Sequence, residues 1–282
     1  MPFSEQVKER IEANRSVLCV GLDAAPQKIP ACLQQEQDPQ LVFNQAIIDA
    51  THDLVCCYKP NFAFYTVRGA AGMETLRQTI AYAHSYDVPV ILDAKFGDIG
   101  HTAEFYAQTA FEVLQADSVT VNPYMGEDTI APFRAYEDKG VIALCFTSNA
   151  SRSDFQTRLV TDPTGEDRTL YLVVAEKIAK WNTCGNMGAV VGATAPEELE
   201  AIRAILGPSV PILCPGIGAQ GGDLEEILWA GAGQEKSLIV NVSRAILNAS
   251  PDADYAEAAR REARMFVEQI QAFFSRVNEE IQ

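Results

Sequence analysis

The chain has 282 residues, of which 48% are hydrophobic, 9% aromatic and 21% charged, enough apolar material for a large core. With 22 Lys and Arg against 38 Asp and Glu the formal net charge is -16. That balance argues against sequence-independent nucleic-acid binding, which needs a cationic face to displace counterions, and against an anionic membrane surface. An anionic substrate would need a local cluster of Lys or Arg working against the overall field.

The first segment, MPFSEQVKERIEANRS, alternates charge and lacks the apolar centre of a signal peptide. Its Phe3, Val7 and Ile11 recur every four residues and predict a short amphipathic helix. No stretch reaches the roughly 18 apolar residues of a membrane helix, so a cytoplasmic location is expected. Eight near-continuous apolar, β-branched runs follow, at 17–23, 55–60, 88–95, 118–124, 141–148, 188–194, 210–216 and 237–244. Strands buried on both faces of a parallel sheet require that continuity. Between them, 42–54, 73–86 and 195–207 carry helical periodicity. Eight strands alternating with helices predict an α/β fold, a (β/α)8 TIM barrel formed by a single domain over 1–282, with the N-terminal helix in front. Long loops are expected after strand one (24–40) and strand five (149–170). A doubly wound open sheet is the alternative, but no G-x-G-x-x-G follows the first strand to support it.

From Ser250 the chain reads as the last helix. Ser250 is placed to cap it, Pro251 suits its first turn, and Met265, Phe266, Ile270, Phe273, Phe274 and Val277 form an apolar stripe. The seven cysteines show no C-x-x-C spacing. Cys19, Cys56, Cys57, Cys145 and Cys214 lie in apolar runs and read as small buried thiols of a reducing compartment. His52, His84 and His101 lack ligand spacing, so no metal site is expected.

What ends the strands carries more information. Strand one ends in Asp23, strand two in Lys59, strand three in Asp93 and Lys95, strand four in Asn122, strand five in Thr147 and Ser148, and strand eight in Asn241, Ser243 and Arg244. In a barrel these ends gather on one face, where the βα loops build active sites. Asp93 and Lys95 are two apart on a strand and share a face; strand two, about 4.8 Å away, brings Lys59 within reach of Asp93. Lys59, Asp93 and Lys95 therefore predict an alternating charge row that keeps both lysines protonated, and Asp98 just beyond can extend it. Asp98 and Thr102 are four apart and share one face at the start of the following helix. A second constellation is PGIGAQGGD (215–223), directly after strand seven. Its Gly216, Gly218, Gly221 and Gly222 allow backbone N–H groups to approach an anion closely. With Arg244 it occupies the usual phosphate position of such barrels, after strands seven and eight. No G-x-S-x-G elbow accompanies these residues, so chemistry should rest on lysine, aspartate and phosphate binding.

At these residues the sequence resembles the orotidine 5′-phosphate decarboxylase family, in its larger bacterial type. The family's D-x-K-x-x-D-I signature stands as DAKFGDI (93–99), with Thr102 in the family's spacing. KPN (59–61), the VGLD of strand one and the PGIGAQGGD loop match as well, so the resemblance spans nearly the whole chain. It implies an enzyme without cofactor or metal, a homodimer whose active sites lie at the subunit interface. Lys59, Asp93 and Lys95 would come from one subunit, and Asp98, Ile99 and Thr102 from its partner. Asp23 would hold the ribose hydroxyls, Ser148 would contact the pyrimidine, and Gln220 with Arg244 would close on the phosphate. Two positions depart from the family: Ser243 stands where many members carry Gly, and His101 where many carry Asn.

The implied reaction converts orotidine 5′-phosphate to uridine 5′-phosphate, the last step of pyrimidine nucleotide synthesis. Lys95 would stabilise a carbanion at ring carbon 6 and protonate it. Two other readings stand beside it. One is a magnesium-dependent sugar-phosphate decarboxylase or aldolase-type synthase sharing the D-x-K-x-x-D core. The other is a catalytically silent nucleotide-binding protein, which would have no need of four retained charges at Lys59, Asp93, Lys95 and Asp98.

Overall fold

The computed structural model describes residues 1–161, 165–217, 222–231 and 237–281. The strands are β1 (Leu18–Gly21), β2 (Cys57–Lys59), β3 (Ile91–Phe96), β4 (Ser118–Val121), β5 (Gly140–Phe146), β6 (Leu159–Thr161), β7 (Asp167–Thr169), β8 (Met187–Val191), β9 (Ile212–Pro215) and β10 (Leu238–Val242). Eight of them, all but β6 and β7, form one sheet in the order β2-β1-β10-β9-β8-β5-β4-β3 with parallel pairing. Bridges between Tyr58 and Val90 and between Asn61 and Asp93 join β2 to β3 and close the sheet into a barrel. All eight apolar runs of the sequence are barrel strands. The cause is burial on both faces: every residue of β1, β4, β8 and β10 is buried.

Parallel strands alternating with helices place all C-terminal strand ends on one rim. The opposite rim is covered by the helix Phe3–Asn14, which buries Phe3, Val7 and Ile11 as their spacing predicts, worth roughly 1.5–3 kcal/mol each. Phe3 N donates to Asp138 O at 3.0 Å. At Gly140 a Cβ would lie 2.4 Å from Phe3 Cδ1, so only glycine at the start of β5 lets this helix seat. Of the helical patterns, 42–54 is Pro39–Thr51, started by Asp38, whose carboxylate accepts Leu41 N at 3.3 Å; 73–86 is Gly69–His84, and 195–207 is Pro196–Leu206.

The C-terminal helix is Tyr255–Ile281, so Ser250 and Pro251 precede it. Ser250 Oγ instead accepts Asp252 N and donates to Asp254 Oδ1, forming a turn. Its buried face runs through Ala259, Ala263, Val267, Ile270 and Phe273, and Met265 is exposed. Met265 is two residues, about 200°, from Ala263 and from Val267, which turns it away from the core. The 149–170 connection is not irregular throughout: it holds a 3-10 turn at Ala150–Asp154 and the antiparallel β6–β7 hairpin. Loop 24–40 holds two 3-10 turns, Pro26–Lys28 and Ala31–Leu33.

The five cysteines of the apolar runs are buried and all seven are free thiols. His52 stacks on Tyr86, His84 bonds Asp117 at 2.7 Å, and His101 is exposed beside Glu104. Among the described residues no helix is long and apolar enough to cross a membrane.

Candidate active site

A cavity of about 430 Å³ opens on the rim where the barrel strands end. Asp23, Lys59, Asn61 and Asp93, from the ends of β1 to β3, form one part of its wall. Gly216, Ile217, Ser243 and Arg244, following β9 and β10, form another.

The charge row predicted from strand ends is present. Lys59 Nζ lies 3.0 Å from Asp93 Oδ2 and 3.7 Å from Asp23 Oδ2, and Lys95 Nζ lies 2.5 Å from Asp93 Oδ1. Lys59 and Asp93 are buried and line the cavity, whereas the Lys95 side chain is 44% exposed and reaches the row through Asp93. Burial alone would discharge Lys59, but the carboxylates of Asp23 and Asp93 outweigh it and raise its pKa above the ordinary lysine value. Burial likewise opposes charge on Asp93, and the Lys59 and Lys95 ammonium groups more than offset it, holding its carboxyl well below the usual range.

The backbone that presents Lys95 is not the regular strand the spacing argument assumed. Pairing of β3 with β4 shifts between Leu92 and Phe96, and Lys95 sits at φ 52°, a left-handed conformation costing about 1–2 kcal/mol for a side-chain-bearing residue. Thr120 of β4, fully buried, braces it. Its Oγ1 accepts from Lys95 N at 2.9 Å and donates to Asp93 Oδ1 at 2.9 Å. Nothing in the run SVTVNPY singles Thr120 out from an ordinary β-branched strand residue. Register points to it: Ile91 pairs with Ser118 and Leu92 with Val119, and continuing that register past Leu92, where the pairing shifts, would set Asp93 beside Thr120.

Asp23 is held from three sides. Its Oδ1 accepts Asn61 N at 2.9 Å, its Oδ2 accepts Ser243 Oγ at 2.9 Å, and Lys59 stands beyond. The hydroxyl of Ser243 is thus directed at a carboxylate across the cavity wall. Gly21 makes this approach possible, since a Cβ there would come 1.9 Å from Ser243 Oγ. Asn61 Nδ2 also reaches Asp93 Oδ2 at 3.5 Å, so one asparagine links both carboxylates.

On the anion side, Gly216 leaves β9 at φ 110°, and a bridge between Ile217 and Gly222 closes the base of the glycine-rich loop. Gly218, Gln220 and Gly221 lie outside the described residues. Arg244 opens the short helix Arg244–Leu247 directly after β10 and is exposed to the cavity.

Of the described residues, five predicted for the site do not line this cavity: Lys95, which touches its wall through Asp93, and Asp98, Ile99, Thr102 and Ser148. Ser148 follows β5 with its backbone against Gly192, where a Cβ would lie 2.8 Å from Ser148 N. Asp98 does not extend the charge row; its Oδ1 accepts Ile99 N at 2.8 Å. Nor does it share a helix face with Thr102, because the helix is Gly100–Gln108 with Ile99 as its N-cap, leaving Asp98 outside. Ile99 is 57% exposed, Thr102 is exposed, and Phe105, Tyr124 and Met125 are exposed as well. Among the described residues no group of three His, Cys, Asp or Glu side chains is placed to hold a metal ion.

The arrangement is a fixed, alternating set of charges beside an opening wide enough for a nucleotide-sized anion. It suits stabilisation of negative charge on a bound ring and delivery of a proton from Lys95. Comparison with known proteins finds relatives over nearly the whole chain. The family model for "Orotidine 5'-phosphate decarboxylase / HUMPS family" matches residues 16–260. Orotidine 5'-phosphate decarboxylase of Ralstonia pickettii is 50% identical over 277 residues, covering 97% of this chain and 99% of that protein. That of Herpetosiphon aurantiacus is 47% identical, covering 94% and 96%. Among solved structures, OMP decarboxylase of Leishmania donovani superposes with a TM-score of 0.80 at 38% identity, covering 96% of this chain and 99% of that one.

Proposed function

This chain belongs to the orotidine 5′-phosphate decarboxylase / HUMPS family, and from that premise we infer that it converts orotidine 5′-phosphate to uridine 5′-phosphate and carbon dioxide in pyrimidine biosynthesis. The observation that carries this reading is the row Lys59–Asp93–Lys95 beside an open cavity that also holds Arg244. Decarboxylation breaks the bond between ring carbon 6 and the carboxylate; carbon dioxide leaves and the electron pair stays on carbon 6. That carbanion has no conventional electron sink, so fixed charge must supply much of a rate enhancement worth on the order of 8–23 kcal/mol. The Lys95 ammonium stabilises the pair and gives carbon 6 its proton, and solvent then reprotonates the amine. Asp93 anchors both ammonium groups. Its charge also disfavours the substrate carboxylate next to it and ceases to matter once carbon dioxide has gone.

Asp23 binds the ribose hydroxyls, Ser148 meets the pyrimidine, and Arg244 with Gln220 grips the phosphate, whose binding energy, remote from the reacting carbon, closes the site. Ser243 contributes through Asp23, which its hydroxyl already holds. Asp98, Ile99 and Thr102 serve the active site of the partner in a homodimer. The exposure of Ile99 and Thr102, with exposed Phe105 on the same helix, supports that assignment. Seven free thiols suit the reducing cytoplasm.

The test is the ultraviolet absorbance of orotidine 5′-phosphate mixed with purified protein in excess chelator. Loss of the orotate band with formation of uridine 5′-phosphate is expected. No change from a folded protein that still binds the product would leave a silent binder or a magnesium-dependent relative. For the shared site, Asp98→Ala and Lys95→Ala subunits, each inactive alone, should regain activity on mixing; verified exchange without recovery would place Asp98 elsewhere.

A further inference from the structure

Lys95 can deliver a proton to one carbon only if its ammonium is held in one place, and on its own strand Asp93 holds the ammonium while the backbone between them is irregular. β3 loses register with β4 between Leu92 and Phe96, Lys95 sits at φ 52°, and its side chain is 44% exposed. A flexible lysine on a left-handed backbone has many rotamers available. A single hydroxyl from the neighbouring strand restricts it. Thr120 Oγ1 accepts the Lys95 N–H at 2.9 Å and donates to Asp93 Oδ1 at 2.9 Å, and the same Oδ1 takes Lys95 Nζ at 2.5 Å.

The direction of these bonds is dictated by chemistry. An ionised carboxylate only accepts, so the one hydroxyl proton goes to Asp93 and a lone pair is left for the backbone N–H. The two ends of Lys95, its backbone nitrogen and its ammonium, are thereby tied to one oxygen atom through a closed ring of three hydrogen bonds. Thr120 is buried, with valines on both sides in sequence, so packing alone would be served as well by another valine. We propose that Thr120 is a positioning residue for the decarboxylation: its hydroxyl locks the left-handed backbone of Lys95 to the Asp93 carboxylate and so holds the ammonium against the reacting carbon. The proposal rests on the reading of Lys95 as proton donor.

The test uses the full chain with Thr120→Val, Thr120→Ser and Lys95→Ala, measuring kcat, KM, affinity for uridine 5′-phosphate and the melting temperature. Thr120→Val should lower kcat by roughly ten- to hundredfold, because small misplacements of a catalytic group carry penalties of that size. KM and product affinity should stay within about threefold, and Thr120→Ser, which keeps the hydroxyl, should restore kcat to within about threefold. A parent-like kcat in Thr120→Val overturns the proposal, as does equal impairment in Thr120→Ser or loss of product affinity in step with kcat. Should Thr120→Val not fold, Thr120→Ala takes its place against the same serine control. Lys95→Ala separates the two ways of failing. If it still turns over, the reading of the site fails; if it is inactive while Thr120→Val runs at the parent rate, the positioning role alone fails.

Discussion

At the rim where the strands end, Lys59 is buried against Asp93 and Asp23; at the rim where they begin, Arg203 is buried against backbone carbonyls. Arg203, on the helix Pro196–Leu206, donates to Gly231 O at 3.0 Å, Gly207 O at 2.9 Å, Val210 O at 2.7 Å and Ser237 O at 3.5 Å. Burial pulls its pKa down to about 10, still charged at neutral pH. Nearby in kind, Asn186 donates to the carbonyls of Arg134, Tyr136 and Lys139. These groups fasten loops to strand starts, and their partners are dipoles fixed in the main chain. At the other rim the partners are charged side chains that answer one another and surround a cavity. Burial of charge is therefore common to both rims, and what separates a catalytic cluster from a structural clasp is the identity of the partner.

The largest effect should come from Lys59→Met. It removes a cation from between two carboxylates while filling much of the same volume. We expect kcat/KM to fall by about 10³-fold or more and stability to drop by roughly 3 kcal/mol, the scale for breaking a buried ion pair. Assay of turnover together with denaturant unfolding measures both. Retained turnover would mean that the alternation of charge at this rim is no more than a clasp itself.

Arg203→Met should cost a similar amount of stability and nothing in chemistry. It strands several buried carbonyls, each worth about 1–3 kcal/mol when left unpaired, so a loss of roughly 2–4 kcal/mol is expected. kcat and KM of the folded fraction should be unchanged. A specific fall in kcat at a temperature where the variant is fully folded would erase the distinction between the rims.

The catalytic rim was more legible in sequence than this contrast suggests, and for a physical reason. Strands buried on both faces must be apolar, so the charges that end them, Asp23, Lys59, Asp93 and Arg244, stand out at their boundaries. Arg203 carries no such signal, because within a helix of Glu, Ala and Ile it reads as one more solvated charge. Thr120 was hidden by being a good strand residue. The left-handed turn at Lys95 was hidden because alternation on a regular strand already put Lys95 beside Asp93, for a geometry that the bulge replaces. Hairpin β6–β7 has three residues per strand, too few for alternation to show against a loop. The position of Asp98 depended on where the next helix starts, and Gly100 at φ 54° sets that start two residues later than spacing implied.

The smallest effect, and the finest test of the catalytic rim, belongs to Ser243→Gly. Its hydroxyl ties Asp23, at the end of β1, to β10, the strand that leads into Arg244. The variant loses one hydrogen bond to a carboxylate that keeps Asn61 N and Lys59, so the penalty should be about 0.5–1.5 kcal/mol, a two- to tenfold rise in KM with kcat nearly constant. If Ser243 acts through Asp23 on the ribose, the rise should shrink for a 2′-deoxy substrate, which gives Asp23 one hydroxyl fewer to hold. If Ser243 instead bonds the phosphate directly, the rise should be equal for both substrates. Pairing the variant with the two substrates forms a double-mutant cycle, and only a non-zero coupling assigns the hydroxyl to Asp23. Ser243 Oγ also accepts Asn241 Nδ2 at 3.4 Å, a bond the variant loses with either substrate, so that loss cancels in the cycle.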